Sequence, residues 1–356
     1  MSPTHHDISP LKVLILGGSG TISSAVLGEA VHQGMDVTAV TRTPRDGKAN
    51  QSKVTWLQAD IRSYELEAAL IGHRYDAVIN FLSFDASDAA RMVELFTNRT
   101  EQYVHISSAS VYGKPLLTSP VTESTQRHNR FTKYARDKIA AEDRLLDAFV
   151  SNGFPITVVR PSHTYDDRKP PVPGGWTVVH RMLRGEDIPV HGDGTSLWTL
   201  THAADLAVGI VGLLGEPRAV GEAVHITSDD IWTWDQIYTA VGQAFGSSAR
   251  LVHVPSEMFP LAAPEWEWSE LLVGDLSHSA VFDNTKIRKL VPEYRPAHTF
   301  SRALRRMAEQ FRDHPDKCAA DSAVDDILDR MAHGYCESRS LFASLRPEAS
   351  TQRGPQ

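Results

Sequence analysis

Tyr134 and Lys138 are separated by three residues in the run YARDK, and Ser108 lies upstream in HISSASVYG. A tyrosine hydroxyl, with an ordinary pKa near ~10, is a poor base at neutral pH. On a helix, residues four apart share a face, so the Lys138 ammonium comes beside the Tyr134 ring. A neighbouring positive charge favours the phenolate and lowers its pKa, suiting it to exchange a proton with an alcohol. Ser108 adds a second hydroxyl that holds the substrate oxygen. Together these are the residues of a hydride-transfer site. Taken alone, the Tyr134–Lys138 spacing equally describes a surface pair, so the reading depends on the elements around it.

Those elements begin near the amino terminus. Leu11 to Leu16 (LKVLIL) is a short apolar run of the kind found in buried parallel strands. Gly17 to Ser23 (GGSGTIS) follows, and then a helical pattern with Ile22, Val26, Leu27, Ala30 and Val31 on one face. Strand, glycine turn and helix form the setting of a dinucleotide pyrophosphate. Glycines let the backbone approach the phosphates, and the helix start offers free N–H groups. Further strands are expected at Val37–Val40, Val54–Gln58, Ala77–Phe81, Tyr103–Ser107 and Ile156–Val159, alternating with helices. That alternation predicts an α/β, Rossmann-type doubly wound parallel sheet with a smaller C-terminal α/β substrate lobe. Gly17, Asn80, Ser107 and Arg160 then fall at strand carboxyl ends, where ligands bind such sheets.

The ordered set GGSGTIS, Ala59-Asp60, HISSASVYG, YARDK, VVRPSHTYD, GDGTSLWTLTHAADLA and FDNTKIRKL resembles the extended short-chain dehydrogenases/reductases, in the NAD(P)-dependent epimerase/dehydratase branch. The resemblance runs from about Leu11 to about Phe311. It implies that Gly17, Gly20, Thr21 and Ile22 line the cofactor pyrophosphate, and that Asp60 and Ile61 meet the adenine. It makes Tyr134 the acid/base, with Lys138 holding the nicotinamide ribose and Pro161 passing beneath the ring. Ser108 aligns with the Ser/Thr that orients the substrate, and a homodimer built on the Tyr134 helix is implied.

The departures from the family pattern matter equally. Ser23 stands at the third glycine and is small enough to be tolerated. After the second strand the chain reads Thr41-Arg42-Thr43-Pro44-Arg45, without the acidic residue usual in NAD-specific members. Arg42 therefore tilts the expectation from NAD towards NADP. Ala109 and Ser110 replace the acidic pair of the sugar dehydratases, which argues against dehydration. Trp198 occupies the position of the arginine that clamps a substrate diphosphate, and His163 replaces an asparagine. Tryptophan stacks on rings and cannot fork a diphosphate. Ser110, His163 and Trp198 are the expected substrate contacts, although Trp198 reads equally as core filling. The expected function is an NAD(P)-dependent epimerase acting on a secondary alcohol of a sugar or nucleotide-sugar-like substrate. The alternative is an NAD(P)(H)-dependent oxidoreductase.

A related branch contains the chloroplast stem-loop-binding proteins, which makes RNA binding a third reading. The formal net charge of −8 opposes it, because nucleic-acid partners call for basic surface. Over 356 residues, 41% hydrophobic and 22% charged content is that of a folded protein with room for a second lobe. Cys318 and Cys336 form neither a disulfide framework nor a metal spacing, so no metal and a cytoplasmic location are expected. No apolar run reaches the ~18 residues that would span a bilayer. The Rossmann domain is placed at 11–168, with 200–228 returning to it, and the substrate lobe at 169–199 and 229–312. A helical segment at 313–345 and flexible tails at 1–10 and 346–356 complete the organisation.

Overall fold

The computed structural model describes residues 9–43 and 53–345; Arg45 and almost all of the expected tails lie outside them. Seven strands form one parallel sheet: β1 Lys12–Leu16, β2 Asp36–Thr41, β3 Val54–Gln58, β4 Tyr75–Asn80, β5 Thr100–Ile106, β6 Ile156–Pro161 and, later in the chain, Ala223–Ile226. Their order across the sheet is Ala223–Ile226, β6, β5, β4, β1, β2, β3. The order reverses between β1 and β4, which opens a crevice at the strand carboxyl ends. Val13 to Leu16 are wholly buried, as a strand covered on both faces requires. The strand Ala223–Ile226 was not expected. It is only four residues long and extends the sheet by pairing with β6.

Helices α1 Thr21–His32, α2 Tyr64–Ala69, α3 Ala86–Phe96 and α4 Lys133–Asn152 alternate with these strands. Helix α4 starts at Thr132, whose hydroxyl accepts the Ala135 N–H, and stops at Gly153 in the left-handed region. Its buried stripe is Ala135, Lys138, Ala141, Glu142, Leu145 and Ala148. Lys138 and Glu142 are thus charged residues inside an otherwise apolar contact, each with bonded partners.

Beyond β6, a second layer forms from two small sheets. In the first, β7 His163–Tyr165 runs parallel to Leu197–His202, which pairs antiparallel with Ile231–Thr233. In the second, Asp187–His191 pairs with Arg250–Val254. Around them an apolar core gathers Trp176, Trp198, Trp234 and Trp266 with Phe300 and Met307. Within the helical segment expected at 313–345, the last helix runs Ser322–Ser344. It is tied to the helix Trp176–Arg184 by Arg181, which meets Asp325 and Asp329 at 2.7 Å each.

Candidate active site

The turn after β1 is where a dinucleotide would lie. Gly17 has φ +95°, and a Cβ there would fall 2.8 Å from Leu82, so only glycine suits the position. Ser23 Oγ accepts the Gly20 N–H at 2.9 Å. The serine in place of the third glycine thus stitches the turn to α1 rather than merely fitting it. Thr21 has its hydroxyl taken by the Arg168 guanidinium at 2.9 Å. Arg168 lies far away in the sequence, yet it brings a cation to the start of α1, an assistance no local motif signalled.

From this turn three cavities follow one another. The first, about 470 Å³, is lined by Gly17, Arg42, Asp60, Ile61, Arg62 and Phe84 among others. Arg62 is held bidentate by Asp88, at 2.9 and 2.8 Å. Arg42 is exposed on the wall, and its backbone carbonyl accepts from the Gln58 side chain at 3.2 Å. The second cavity, about 280 Å³, is lined by Ile22, Phe84, Ser108, Tyr134, Lys138 and Pro161. The third, about 650 Å³, shares Ser108, Tyr134 and Pro161 with the second. It also includes Ser110, His163 and Trp198, so Ser108, Tyr134 and the expected substrate residues meet on it, while Lys138 lines only the second cavity of the two.

Ser108 sits where β5 ends and a 3₁₀ turn, Ala109–Val111, begins; its Oγ accepts the Ser110 N–H at 3.1 Å. It also donates to Ser110 Oγ at 3.0 Å, which in turn donates to Asp275 at 2.8 Å. The Lys114 ammonium pairs with the same carboxylate at 3.0 Å. Asp275 and Lys114 were not singled out from the sequence, because nothing local ties residue 275 to residue 110.

Tyr134 and Lys138 do share a face of α4, with the ammonium 5.9 Å from the phenol ring centre. Their expected electrostatic coupling is not what governs the phenol. Lys138 Nζ donates to the carbonyls of Ser83 and Ile106, both at 2.9 Å. Burial raises the Tyr134 pKa above its ordinary value, the hydrogen bond with Ser108 opposes this, and the Asp275 charge adds to the rise. Desolvation is the largest of these causes, and at neutral pH the phenol carries its proton. Burial also lowers Lys138 to about 8, against the pull of Glu142 and Asp88.

Behind the site, Glu142 accepts two bonds from Arg160 at 3.0 and 2.6 Å and one from Ser107 at 2.5 Å. This buried carboxylate joins the ends of β5 and β6 to α4, so the strand carrying Ser108 and the helix carrying Tyr134 are held together. Trp198 is 5% exposed, and its indole N–H donates to His163 Nδ1 at 3.1 Å. It is both core and cavity wall. His163 is pushed down to about 4 by burial and so stays neutral. Asp205 ties the loop at 297–298 by accepting both backbone N–H groups, consistent with a structural part.

A glycine turn on a parallel sheet, a nucleotide-sized groove and a Ser/Tyr/Lys junction agree with the profile that matches residues 13–227, described as NAD dependent epimerase/dehydratase family. The chain belongs to that family. Among proteins of this group, a 2′-dehydrokanamycin reductase from Streptomyces kanamyceticus is 28% identical over 295 residues, covering 80% of each chain. The chloroplast stem-loop binding protein of 41 kDa b from Arabidopsis thaliana is 27% identical, covering 70% of this chain and 68% of that one. Among solved structures, a dTDP-glucose 4,6-dehydratase from Bacillus anthracis in complex with NAD has a TM-score of 0.69 at 18% identity, covering 86% of this chain and 98% of that one. The family includes epimerases, dehydratases and reductases, so membership makes this chain an enzyme of that kind without fixing the reaction.

The groove fits the cofactor. Its glycine turn and the start of a twelve-residue helix would hold a pyrophosphate, and the walls at Asp60 and Ile61 would meet the adenine. Among the described residues no helix is long and apolar enough to cross a membrane, and no three His, Cys, Asp or Glu side chains gather as a metal site.

Proposed function

We propose that the protein transfers hydride between a nicotinamide cofactor and a secondary alcohol or ketone of a sugar-like substrate, in the oxidoreductase mode. The observation that carries this reading is the junction of the second and third cavities at Ser108 and Tyr134. The cofactor, when bound, supplies or accepts the hydride. Tyr134 is kept protonated by burial, so it is set to give its proton to the oxygen of a ketone as that oxygen gains charge. Ser108 holds the same oxygen, with its own hydroxyl oriented by Ser110 and Asp275. Lys138 and Glu142 fix the helix face from which Tyr134 projects. The relative named a 2′-dehydrokanamycin reductase, with coverage of most of both chains, supports reduction.

Epimerisation, the reading expected from sequence, remains the second proposal. It uses the same residues and needs the ketone to turn over and receive hydride on its other face, for which about 650 Å³ is ample. Arg42 is the guanidinium on the adenosine wall without a carboxylate partner among the described residues, which supports NADP over NAD. A homodimer and a cytoplasmic location, both drawn from the resemblance and composition, belong to this proposal too.

Mass spectrometry of whatever small molecule leaves the purified protein on denaturation separates the two modes. The oxidoreductase reading expects sub-stoichiometric cofactor that exchanges with added NADPH. A stoichiometric oxidised cofactor that resists exchange would move the assignment to the epimerase.

A further inference from the structure

The walls of the 650 Å³ cavity are anionic. Glu265, Glu267, Glu270 and Asp275 line it, and Lys114 is the one lysine or arginine among its lining residues. Lys114 is already paired with Asp275, its side chain 2% exposed. Glu270 accepts the Lys133 backbone N–H at 3.2 Å. Glu265 and Glu267 are exposed and have no hydrogen-bond or ion-pair partner among the described residues. His163 adds no charge at neutral pH, since burial holds it near about 4.

A second observation comes from the aromatic wall. Trp266 and Trp268 alternate with the two glutamates, and Trp268 is half-buried with its ring 5.9 Å from that of His163. Trp198 lines the same cavity, with the Lys114 ammonium 5.7 Å from its ring centre. Tryptophan faces attract cations and the apolar faces of sugar rings, while carboxylates repel phosphate. A diphosphate brought here would meet like charge in a partly desolvated space, with no guanidinium to receive it.

We propose that the substrate is an amine-bearing, positively charged sugar, whose ammonium groups are held by Glu265 and Glu267 over the tryptophan wall. This rests on the hydride-transfer reading above and specifies its substrate class. The amine lies on the side of the cavity formed by 264–271, and the reacting oxygen on the side of Ser108 and Tyr134. The segment carrying the two glutamates thereby selects for charge before the chemistry at Tyr134 begins.

Calorimetric titration of the full chain, with NADPH added first, tests this. The probes are the glucosamine disaccharide in mildly acidic buffer, its N,N′-diacetyl counterpart and UDP-glucose. The amine form is expected to bind, the other two to bind more weakly, and the Glu265→Gln/Glu267→Gln double variant to lose about fivefold or more in affinity for the amine. Tighter binding of UDP-glucose or of the diacetyl sugar would overturn the proposal. So would unchanged affinity in the double variant, or no binding by any probe. The NADPH step keeps the two readings apart. Absence of binding by NADPH and by NADH alike removes the hydride-transfer reading itself, whereas cofactor binding with no preference for the amine removes only the charge selection.

Discussion

Tyr134 is governed by what surrounds its hydroxyl more than by the lysine one turn away. Tyr134 is 39% exposed, yet partial burial raises its phenol above the ordinary value, against the Ser108 hydrogen bond, so the proton is retained at neutral pH. Replacing Tyr134 with Phe is expected to lower kcat by about 10²- to 10⁴-fold while leaving NADPH affinity within about twofold; retained turnover would remove the acid from the mechanism. Lys138 titrates nearer to neutrality than a surface lysine. With burial bringing it to about 8, its ammonium is present below that pH and is lost as pH rises through it. NADPH affinity, read by fluorescence quenching, is therefore expected to weaken above about pH 8, and Lys138→Met should flatten that profile. Arg42→Asp is expected to reverse the preference from NADP to NAD, measured as the ratio of the two dissociation constants. An unchanged ratio would place Arg42 outside the 2′-phosphate site.

At the scale of elements, the strand Leu197–His202 is the piece whose role changes most between sequence and structure. Trp198 occupies the position of a diphosphate-binding arginine, but its ring lies in the core with Trp234, at 5.8 Å, and its N–H is committed to His163. Restoring arginine there would bury a guanidinium among aromatic rings. Trp198→Arg is expected to cost about 3 kcal/mol or more in chemical denaturation and to bring no gain in UDP-sugar affinity. Tighter UDP-glucose binding by a stable variant would show that the position still faces a diphosphate. Helix α4 makes the complementary point. Its ends are set by Thr132 and Gly153, and its charged interior by Glu142, so the catalytic face is fixed by packing on β5 and β6 as much as by helix periodicity.

Across the whole molecule, the second lobe covers the carboxyl ends of the large sheet and completes the cavity from the far side. The carboxylate of Asp275 reaches Ser110 across 165 residues of sequence, and the Arg306 guanidinium grips Asp167 from the helix Phe300–Asp313. The last helix depends on Arg181, a buried guanidinium shared by Asp325 and Asp329. Arg181→Met is expected to raise hydrogen exchange along 322–344 by about tenfold or more, with the large sheet unaffected. Equal protection in the variant would mean that apolar packing of Leu328 and Met331 alone holds the helix.

Much of this was legible in the residues themselves. The apolar run before Gly17, the strand–helix alternation and the spacing of Tyr134 and Lys138 are short-range patterns, and backbone periodicity converts such patterns directly into elements. With the ordered motifs they gave the fold, the family and the groove. The strand Ala223–Ile226 is not legible in the sequence, because four residues carry too little periodicity. Tertiary structure alone decided the protonation of Tyr134, the committed N–H of Trp198, the Asp275–Lys114 pair and the acidic wall at Glu265 and Glu267. Burial and long-range contact set these properties. A pKa or a cavity's charge belongs to the groups that packing brings together, and a linear spacing does not record them.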